Sequence, residues 1–200
     1  RYAHAYREFT LIPEAGTVSG ILRPEVENKL GYISSLNIPI KAAMLLNYAA
    51  KKLTGGDPLV FDIRWLGLVY ALVFAAGLAL FAAKLGVRKT HTRILLFLLS
   101  VVMLCDIGYL VYFHSFYGEA LSMAAGMLAA GGAAWLIYGN PARKTPLVLF
   151  YIACLLFLSA KVANAPSGLL AALFGAVLLM RRKDAFSRVF IVLGGAALIA

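Results

Sequence analysis

The chain has few charged residues and almost no cysteine. Only 14% of its 200 residues are charged, against about 25% in a typical soluble domain. Its hydrophobic content of 62% and its mean hydropathy of +0.84 are far above the usual range of such a domain. These values exclude a soluble globular protein. Apolar runs of about 20 residues, enough to cross a bilayer, recur along the chain and predict a polytopic membrane protein.

The sequence also lacks the patterns of recognisable soluble enzymes. Its two cysteines, Cys105 and Cys154, fall in apolar runs without a CxxC or Cys/His cluster, so packing inside spans is the favoured interpretation. No GxSxG, HExxH, P-loop or strand–helix GxGxxG pattern is present. We therefore predict no metal ligands and identify no cofactor with certainty, while leaving a divalent metal open.

Six apolar runs predict about six membrane-spanning helices, the last of them incomplete. We therefore expect an all-α polytopic transmembrane bundle. The chain opens on Arg1 rather than Met and stops within the last run, so we expect a fragment truncated at both ends. The predicted spans are Trp65–Leu85, Ile94–Tyr112, Glu119–Tyr138, Pro146–Ala160, Pro166–Met180 and Val189 onward.

Positive charge is concentrated on alternate connectors between these spans. The connectors "KLGVRKTHTR", "GNPARKT" and "RRKDAFSR" together hold ten basic residues and one acidic residue. This alternation is the positive-inside pattern, which places the three connectors in the cytoplasm. The net charge of +10 is thus explained by topology, and we predict no nucleic-acid partner. Arg1–Arg64 and the two polar turns then lie on the outer side.

The segment Arg1–Arg64 is predicted to be an external region that precedes a helix bundle over residues 65–200. Within it, Pro39–Leu53 mixes apolar and basic residues and is followed by Gly55 and Gly56, which indicates a helix ended by a glycine cap. A partly apolar helix beside a membrane usually lies in the interface. It could shape a groove for a lipid substrate or only pack on the bundle, and both alternatives stay open.

The turn "YFHSFYGE" and the span before it carry polar residues of functional interest. Asp106 lies roughly 9 Å below this turn, and a carboxylate at membrane depth indicates either a functional site or a hydrogen bond to another helix. Glu119 begins a span, where the helix dipole alone would favour an acid. His114 can carry a proton or pair with phosphate. The aromatic residues predicted to be ordinary interfacial residues are Tyr112, Phe113 and Phe116.

The turn "SAKVANAP" is the second polar turn on the outer side. Its flanking spans are short, so it could dip into the bilayer and line a cavity. Lys161 is the only basic residue of the outer turns and could bind an anion, although an interfacial lysine that reaches for water would look the same. The predicted site residues are Asp106, Glu119 and His114 as catalytic candidates, and Lys161, Asn164, Tyr117 and Ser115 as substrate-binding candidates.

Three segments in this order resemble a known family. "FDIRWLGLVY" leads into a span, an aspartate-bearing span runs into "YFHSFYGEALSM", and "SAKVANAP" follows. The combination is similar to polytopic GT-C-type glycosyltransferases of bacterial surface-glycan synthesis, over about residues 31–180 of this chain. His114 departs from the family pattern, which more often has an asparagine there.

The resemblance implies an integral enzyme of the bacterial inner membrane. It would be a hexosyltransferase that moves a sugar from a polyprenyl-phosphate donor to a glycan or protein acceptor at the outer face. Lys161 would meet the lipid phosphate, and a groove between spans would hold the isoprenoid chain. Such enzymes usually carry a catalytic aspartate in the first external loop. Arg1–Arg64 offers no acid in a recognisable motif, so we expect the general base upstream of Arg1.

Two alternatives from other classes remain. The first is a transporter or lipid flippase with Asp106 and His114 in the translocation path. The second is a non-catalytic membrane subunit in which Asp106 is an assembly contact. The sequence shows no inverted repeat, which disfavours the transporter.

Overall fold

The computed structural model of the chain describes residues 8–10, 35–57, 60–85, 89–104, 111–140, 142–181 and 183–199. Asp106 and Cys105 lie outside these described residues. The described strands and helices are β1 (Glu8–Thr10), α1 (Asn37–Thr54), β2 (Val60–Asp62), α2 (Arg64–Lys84), α3 (Thr90–Leu104), α4 (Gly118–Tyr138), α5 (Thr145–Ala160), α6 (Pro166–Arg181) and α7 (Ala185–Ile199).

The predicted fold class, an all-α membrane bundle, is confirmed. By length and composition α2, α4 and the segment Val162–Arg181 can each cross a membrane, while α5 and α7 are apolar but shorter. The bounds of α2, α4, α5 and α6 agree with the predicted spans to within one residue. Both α3 and α7 begin four residues before the predicted start, because each helix starts in polar sequence ahead of its apolar run.

The predicted second span is wrong at its C-terminal end. Val111 and Tyr112 were assigned to that span, but they begin a 3-10 turn, Val111–His114. The hydroxyl of Ser115 donates to the carbonyl oxygen of Tyr112 at 2.6 Å, which closes the turn locally. A hydrogen bond from a side chain to the nearby backbone competes with regular α-helix. Hydropathy does not predict such a bond, so it places the end of the helix too late.

The helix α1 and a small ribbon form a cap beside the start of α2. The prediction of a helix over Pro39–Leu53 agrees with α1, which ends at Gly55 in the left-handed conformation with φ of 73°. The ribbon was not predicted. It pairs β1 with β2 in antiparallel register, with Phe9 opposite Phe61. Strands of three residues are too short for alternation to be visible in the sequence.

The helices α2 and α4 cross at backbone contact. A Cβ on Gly77 would lie 2.6 Å from the backbone nitrogen of Leu128, and one on Gly131 would lie 2.7 Å from the carbonyl oxygen of Gly77. No other residue type fits at either position without moving a helix. Small residues at such crossings are how membrane helices approach closely, since lipid supplies no hydrophobic driving force between them.

The core has two parts that meet along α4. One part joins α1, β2, α2 and α4, and the other joins α4, α5, α6 and α7. In the second part, the ring of Tyr151 on α5 inserts against Gly175 of α6 and Gly194 of α7. Its hydroxyl donates to the carbonyl oxygen of Ile191 at 3.3 Å. The helix α5 packs mainly on α4, and α6 packs mainly on α7, so α5 and α6 separate despite their short connector.

The bundle has two chemically different ends. At one end, which we call the polar end, lie residues 111–119 and 160–166. At the other, the basic end, lie residues 139–140, 142–145 and 183–188. Contacts within each end fix this arrangement: Lys161 meets Glu119 at the polar end, and Lys84 lies over the Trp135 ring near the basic end.

Candidate functional site

The centre of the candidate site is an ion pair between α4 and the connector after α5. The Nζ of Lys161 donates to Oε1 of Glu119 at 2.6 Å. Both side chains keep access to solvent, with exposures of 47% for Lys161 and 36% for Glu119. Their positions follow from the helix lengths, because Glu119 lies in the first turn of α4 and Lys161 follows the last residue of α5. An accessible pair of this kind can exchange its partner for a charged ligand.

Three contacts join the first turns of α4 to the end of α5 and the connector that follows it. Each links residues 42 positions apart: the ion pair, the approach of Gly118 to Ala160, and the hydrogen bond of Ser122 with Asn164. The last two hold the ion pair in place. A Cβ on Gly118 would overlap the carbonyl oxygen of Ala160, so only glycine lets the two backbones meet here. This backbone contact sets the distance that Lys161 must reach.

Asn164 is engaged within the protein. Its Nδ2 donates to Oγ of Ser122 at 2.8 Å and to the carbonyl oxygen of Phe157 at 2.7 Å. Ser122 in turn donates to the carbonyl oxygen of Gly118 at 2.8 Å. The amide has two N–H donors and both are used. The geometry therefore gives Asn164 a positioning role for the turn that carries Lys161.

The remaining residues predicted in the first polar turn face elsewhere. His114 packs against α2, where a Cβ on Gly67 would lie 2.8 Å from its Nε2. Among the described residues, no hydrogen bond or ion pair joins His114 to Glu119. Ser115 closes the turn through Tyr112. Tyr117 is 68% exposed and supplies the residue before α4. The structure thus brings Glu119, Lys161 and Asn164 together, and His114 stays on the α2 side.

The aromatic residues of this turn anchor it to α2 and the ribbon. Phe113 is only 3% exposed and packs on Tyr70 and Phe74, with ring centroids 6.0 and 5.8 Å apart. The prediction that Phe113 is an interfacial residue is therefore wrong, because its side chain points into the core. Phe116 remains partly exposed and lies 6.2 Å from the ring of Phe61 on β2.

A buried polar cluster beside β2 was missed by sequence reasoning. Asn47 of α1 is fully buried, and its Nδ2 donates to the carbonyl oxygen of Val60 at 3.1 Å while its Oδ1 accepts from the backbone N–H of Asp62 at 3.1 Å. The buried Asp62 carboxylate accepts from Nε of Arg64 at 2.8 Å. The signal in the sequence was an acid and a base two residues apart at the start of a span.

An apolar groove opens between α5 and α6, where these helices separate. It has a volume of about 320 Å³. Small residues of α4 form its floor, and aromatic rings of α5 and α6 form its walls. Ser167 lines it on the side of the polar end of the bundle. Phe157 connects the groove to the ion-pair turn, because it lines the groove and its carbonyl oxygen accepts a hydrogen bond from Asn164. Residues of all three helices line the groove, among them Gly126, Ala130, Phe150, Cys154, Phe157 and Phe174.

The described residues offer no evident metal site. Within the described ranges, no group of three or more His, Cys, Asp or Glu side chains lies close enough to hold a metal ion. Asp106, the remaining catalytic candidate, falls outside those ranges. The catalytic and binding roles assigned from the sequence to all seven candidates stay predictions.

The fold and site define an integral membrane protein with a helical bundle and an ion-paired polar turn above an apolar groove. A protein-family model described as YfdI N-terminal transmembrane domain matches residues 21–200. The chain therefore belongs to the YfdI N-terminal transmembrane domain family. Comparison with curated proteins and with solved structures gives no significant match.

Proposed function

We propose that the chain is the membrane part of a GT-C-type glycosyltransferase that uses a polyprenyl-phosphate sugar donor. The observation that carries this proposal is the accessible Lys161–Glu119 pair, whose turn is hydrogen-bonded through Asn164 to Phe157, a residue that lines an apolar groove. A cation that can bind phosphate, a carboxylate that can accept a proton and a groove for a hydrocarbon chain are then within one site. The family membership supports an integral membrane protein, and the order of the sequence motifs supports the glycosyltransferase class.

In this proposal Lys161 exchanges its partner when the donor arrives. The lipid phosphate takes the place of the Glu119 carboxylate on Nζ, and its negative charge is neutralised there. The released carboxylate can then accept the proton of an acceptor hydroxyl. The hydroxyl oxygen forms a bond to the anomeric carbon as the bond from that carbon to the phosphate oxygen breaks. The electron pair leaves with the polyprenyl phosphate, and the proton goes to the Glu119 carboxylate.

The groove supports a lipid-linked donor over a soluble one. A chain inside a membrane gains little from leaving lipid, so binding depends on shape and close packing. Gly126 and Ala130 leave space beside the rings of Phe157 and Phe174, which suits a branched, unsaturated chain. The phosphate of such a donor would then lie near the Lys161 turn.

We further propose the orientation predicted from charge. The basic end would face the cytoplasm of a bacterial inner membrane, and the polar end would face outward. The acceptor, a glycan or a protein, would then reach Glu119 from the outer side. The transporter alternative needs a polar path across the membrane. Among the described residues, His114 instead packs on Gly67 at the polar end and makes no hydrogen bond.

Sugar transfer by the full-length protein in proteoliposomes tests this proposal. We expect Lys161→Ala and Glu119→Gln each to lower transfer from a polyprenyl-phosphate sugar at least tenfold, a loss of about 1.4 kcal/mol of transition-state stabilisation. The matched control Lys52→Ala, which removes an exposed lysine of α1, should leave the rate unchanged. Unchanged rates in both site variants would reject the assignment.

A charge swap separates a ligand-binding role from a purely structural one. The double variant Glu119→Lys with Lys161→Glu can rebuild an ion pair but exchanges the positions of the two charges. If the pair only holds the turn to α4, the swap should restore transfer. The proposal expects transfer to stay low, because the cation no longer lies in the connector beside the groove.

A further inference from the structure

The basic end brings two connectors together through a contact between a cation and an aromatic ring. The connector between α4 and α5 carries Lys144, whose Nζ lies 4.4 Å from the centroid of the Phe186 ring in the first turn of α7. Phe186 also stacks on Phe190, with ring centroids 5.9 Å apart. The α4–α5 connector and the α6–α7 connector therefore form a single surface.

This surface is strongly positive. Asp184 is the acidic residue described in it, and its carboxylate accepts from the backbone N–H of Ser187 at 2.9 Å, which caps α7. The exposed cations described at this end of the bundle, in the connectors and in the adjoining turns of α6 and α7, form what we call the basic patch: Arg143, Lys144, Arg181, Lys183 and Arg188.

An apolar face continues directly from the basic patch along α7. Phe186, Val189 and Leu193 are exposed on this helix, at 47%, 59% and 65%. A cationic surface that passes into an apolar helix face matches an amphiphile, with an anionic head at the patch and hydrocarbon along the helix. In a bilayer this apolar face is surrounded by acyl chains, so a lipid whose chains already lie along α7 can supply the negative charge at the patch.

We propose that the basic patch binds the phosphodiester headgroup of an anionic membrane phospholipid, with its acyl chains along the outer face of α7. Lys144 comes from the α4–α5 connector and Arg188 from the first turn of α7, and they contact the headgroup from two sides. Phe186 fixes Lys144 at the edge of the bilayer. The site is separate from the ion pair at the polar end, and it recognises a membrane lipid that is not the sugar donor.

The test measures lipid-dependent thermal stability of the purified full-length protein in a neutral detergent. Mixed micelles with phosphatidylglycerol are titrated against micelles with phosphatidylcholine. We expect phosphatidylglycerol to raise Tm and added salt to reduce the effect. In Lys144→Gln/Arg188→Gln the affinity for phosphatidylglycerol should fall about twenty-five-fold, from about fivefold for each positive charge removed beside a membrane. The matched control Lys41→Gln/Lys52→Gln removes two exposed lysines of α1 and should bind as the wild type does.

A second double variant controls for the loss of the Lys144 contact with Phe186 in the first one. Arg181→Gln/Lys183→Gln leaves that contact intact and should weaken phosphatidylglycerol binding to a similar extent. Glycerol phosphate, which has the headgroup chemistry without chains, should not raise Tm at the same concentration. Retention of wild-type affinity by both patch variants would overturn the proposal. So would an equal loss in the α1 control, or an equal Tm rise with glycerol phosphate.

Discussion

The hydrogen bond between Ser122 and Asn164 offers a quantitative test of how the Lys161 turn is positioned. Replacing Asn164 by Ala removes two donated bonds, to Oγ of Ser122 and to the carbonyl oxygen of Phe157. Replacing Ser122 by Ala removes only the first of these, together with the local bond to Gly118. Because the two substitutions share one bond, a double-mutant cycle isolates its contribution.

The expected magnitudes follow from the number of bonds. A protein hydrogen bond contributes about 0.5–1.5 kcal/mol net, so Asn164→Ala should lower the free energy of unfolding by about 1–3 kcal/mol. Ser122→Ala should cost about 0.5–1.5 kcal/mol for its bond with Asn164. The double variant should be more stable than the sum predicts, by about 0.5–1.5 kcal/mol, since the shared bond is lost only once.

Unfolding in mixed micelles with an increasing fraction of denaturing detergent measures these free energies. The fluorescence of Trp65 and Trp135 reports on α2 and α4. Phe186→Ala at the distant basic end is the control and should be additive with Ser122→Ala. A coupling between Ser122 and Asn164 below about 0.3 kcal/mol, the usual scatter for independent sites, would refute the positioning role of Asn164.

Two further predictions concern the cap and the groove. Asn47→Ala removes the partner of the buried Asp62 N–H and of the partly buried Val60 carbonyl oxygen, so the free energy of unfolding should fall by about 1–3 kcal/mol from the buried group alone. The exposed control Lys41→Ala should show no change in the same assay, and equal stability of both variants would contradict the prediction. Ala130→Phe fills the groove and should raise KM for a long-chain donor by about three- to tenfold but not for a short-chain donor, because packing governs chain binding in a membrane. Val192→Phe on the exposed face of α7 should leave the KM for both donors unchanged. An equal rise in the long-chain KM in this control would exclude the groove as the site that binds the chain.

Much of the bundle could be predicted because apolar length carries strong information in a membrane protein. The starts and ends of α2, α4, α5 and α6 follow from where hydropathy changes. The glycine cap of α1 follows from Gly55, whose left-handed backbone conformation glycine adopts without strain. The sequence also predicted polar turns on one side, and the structure brings Glu119 and Lys161 from these turns into contact.

The contacts between elements distant in sequence could not be predicted. The burial of Phe113 depends on where Tyr70 and Phe74 lie, and the amide of Asn164 is used by Ser122 only because Gly118 lets two backbones meet. The Asn47 cluster depends on a three-residue strand without a periodic signal. Each of these features arises from packing between elements, while composition and periodicity describe single elements.

The close approach of Gly118 to Ala160 also determines how a molecule can reach the ion pair. Where two backbones touch, no sugar or lipid chain can pass between α4 and α5, so that side of Lys161 is a closed wall. The separation of α5 from α6 leaves an opening on the other side, lined by Phe157 and Leu158 before the turn and by Ser167 after it. A molecule diffusing in the membrane would therefore enter sideways, between α5 and α6, while a water-soluble molecule would come from above the turn. In the proposed transferase, Gly118 would thus give the lipid-linked donor and the water-soluble acceptor separate approach routes.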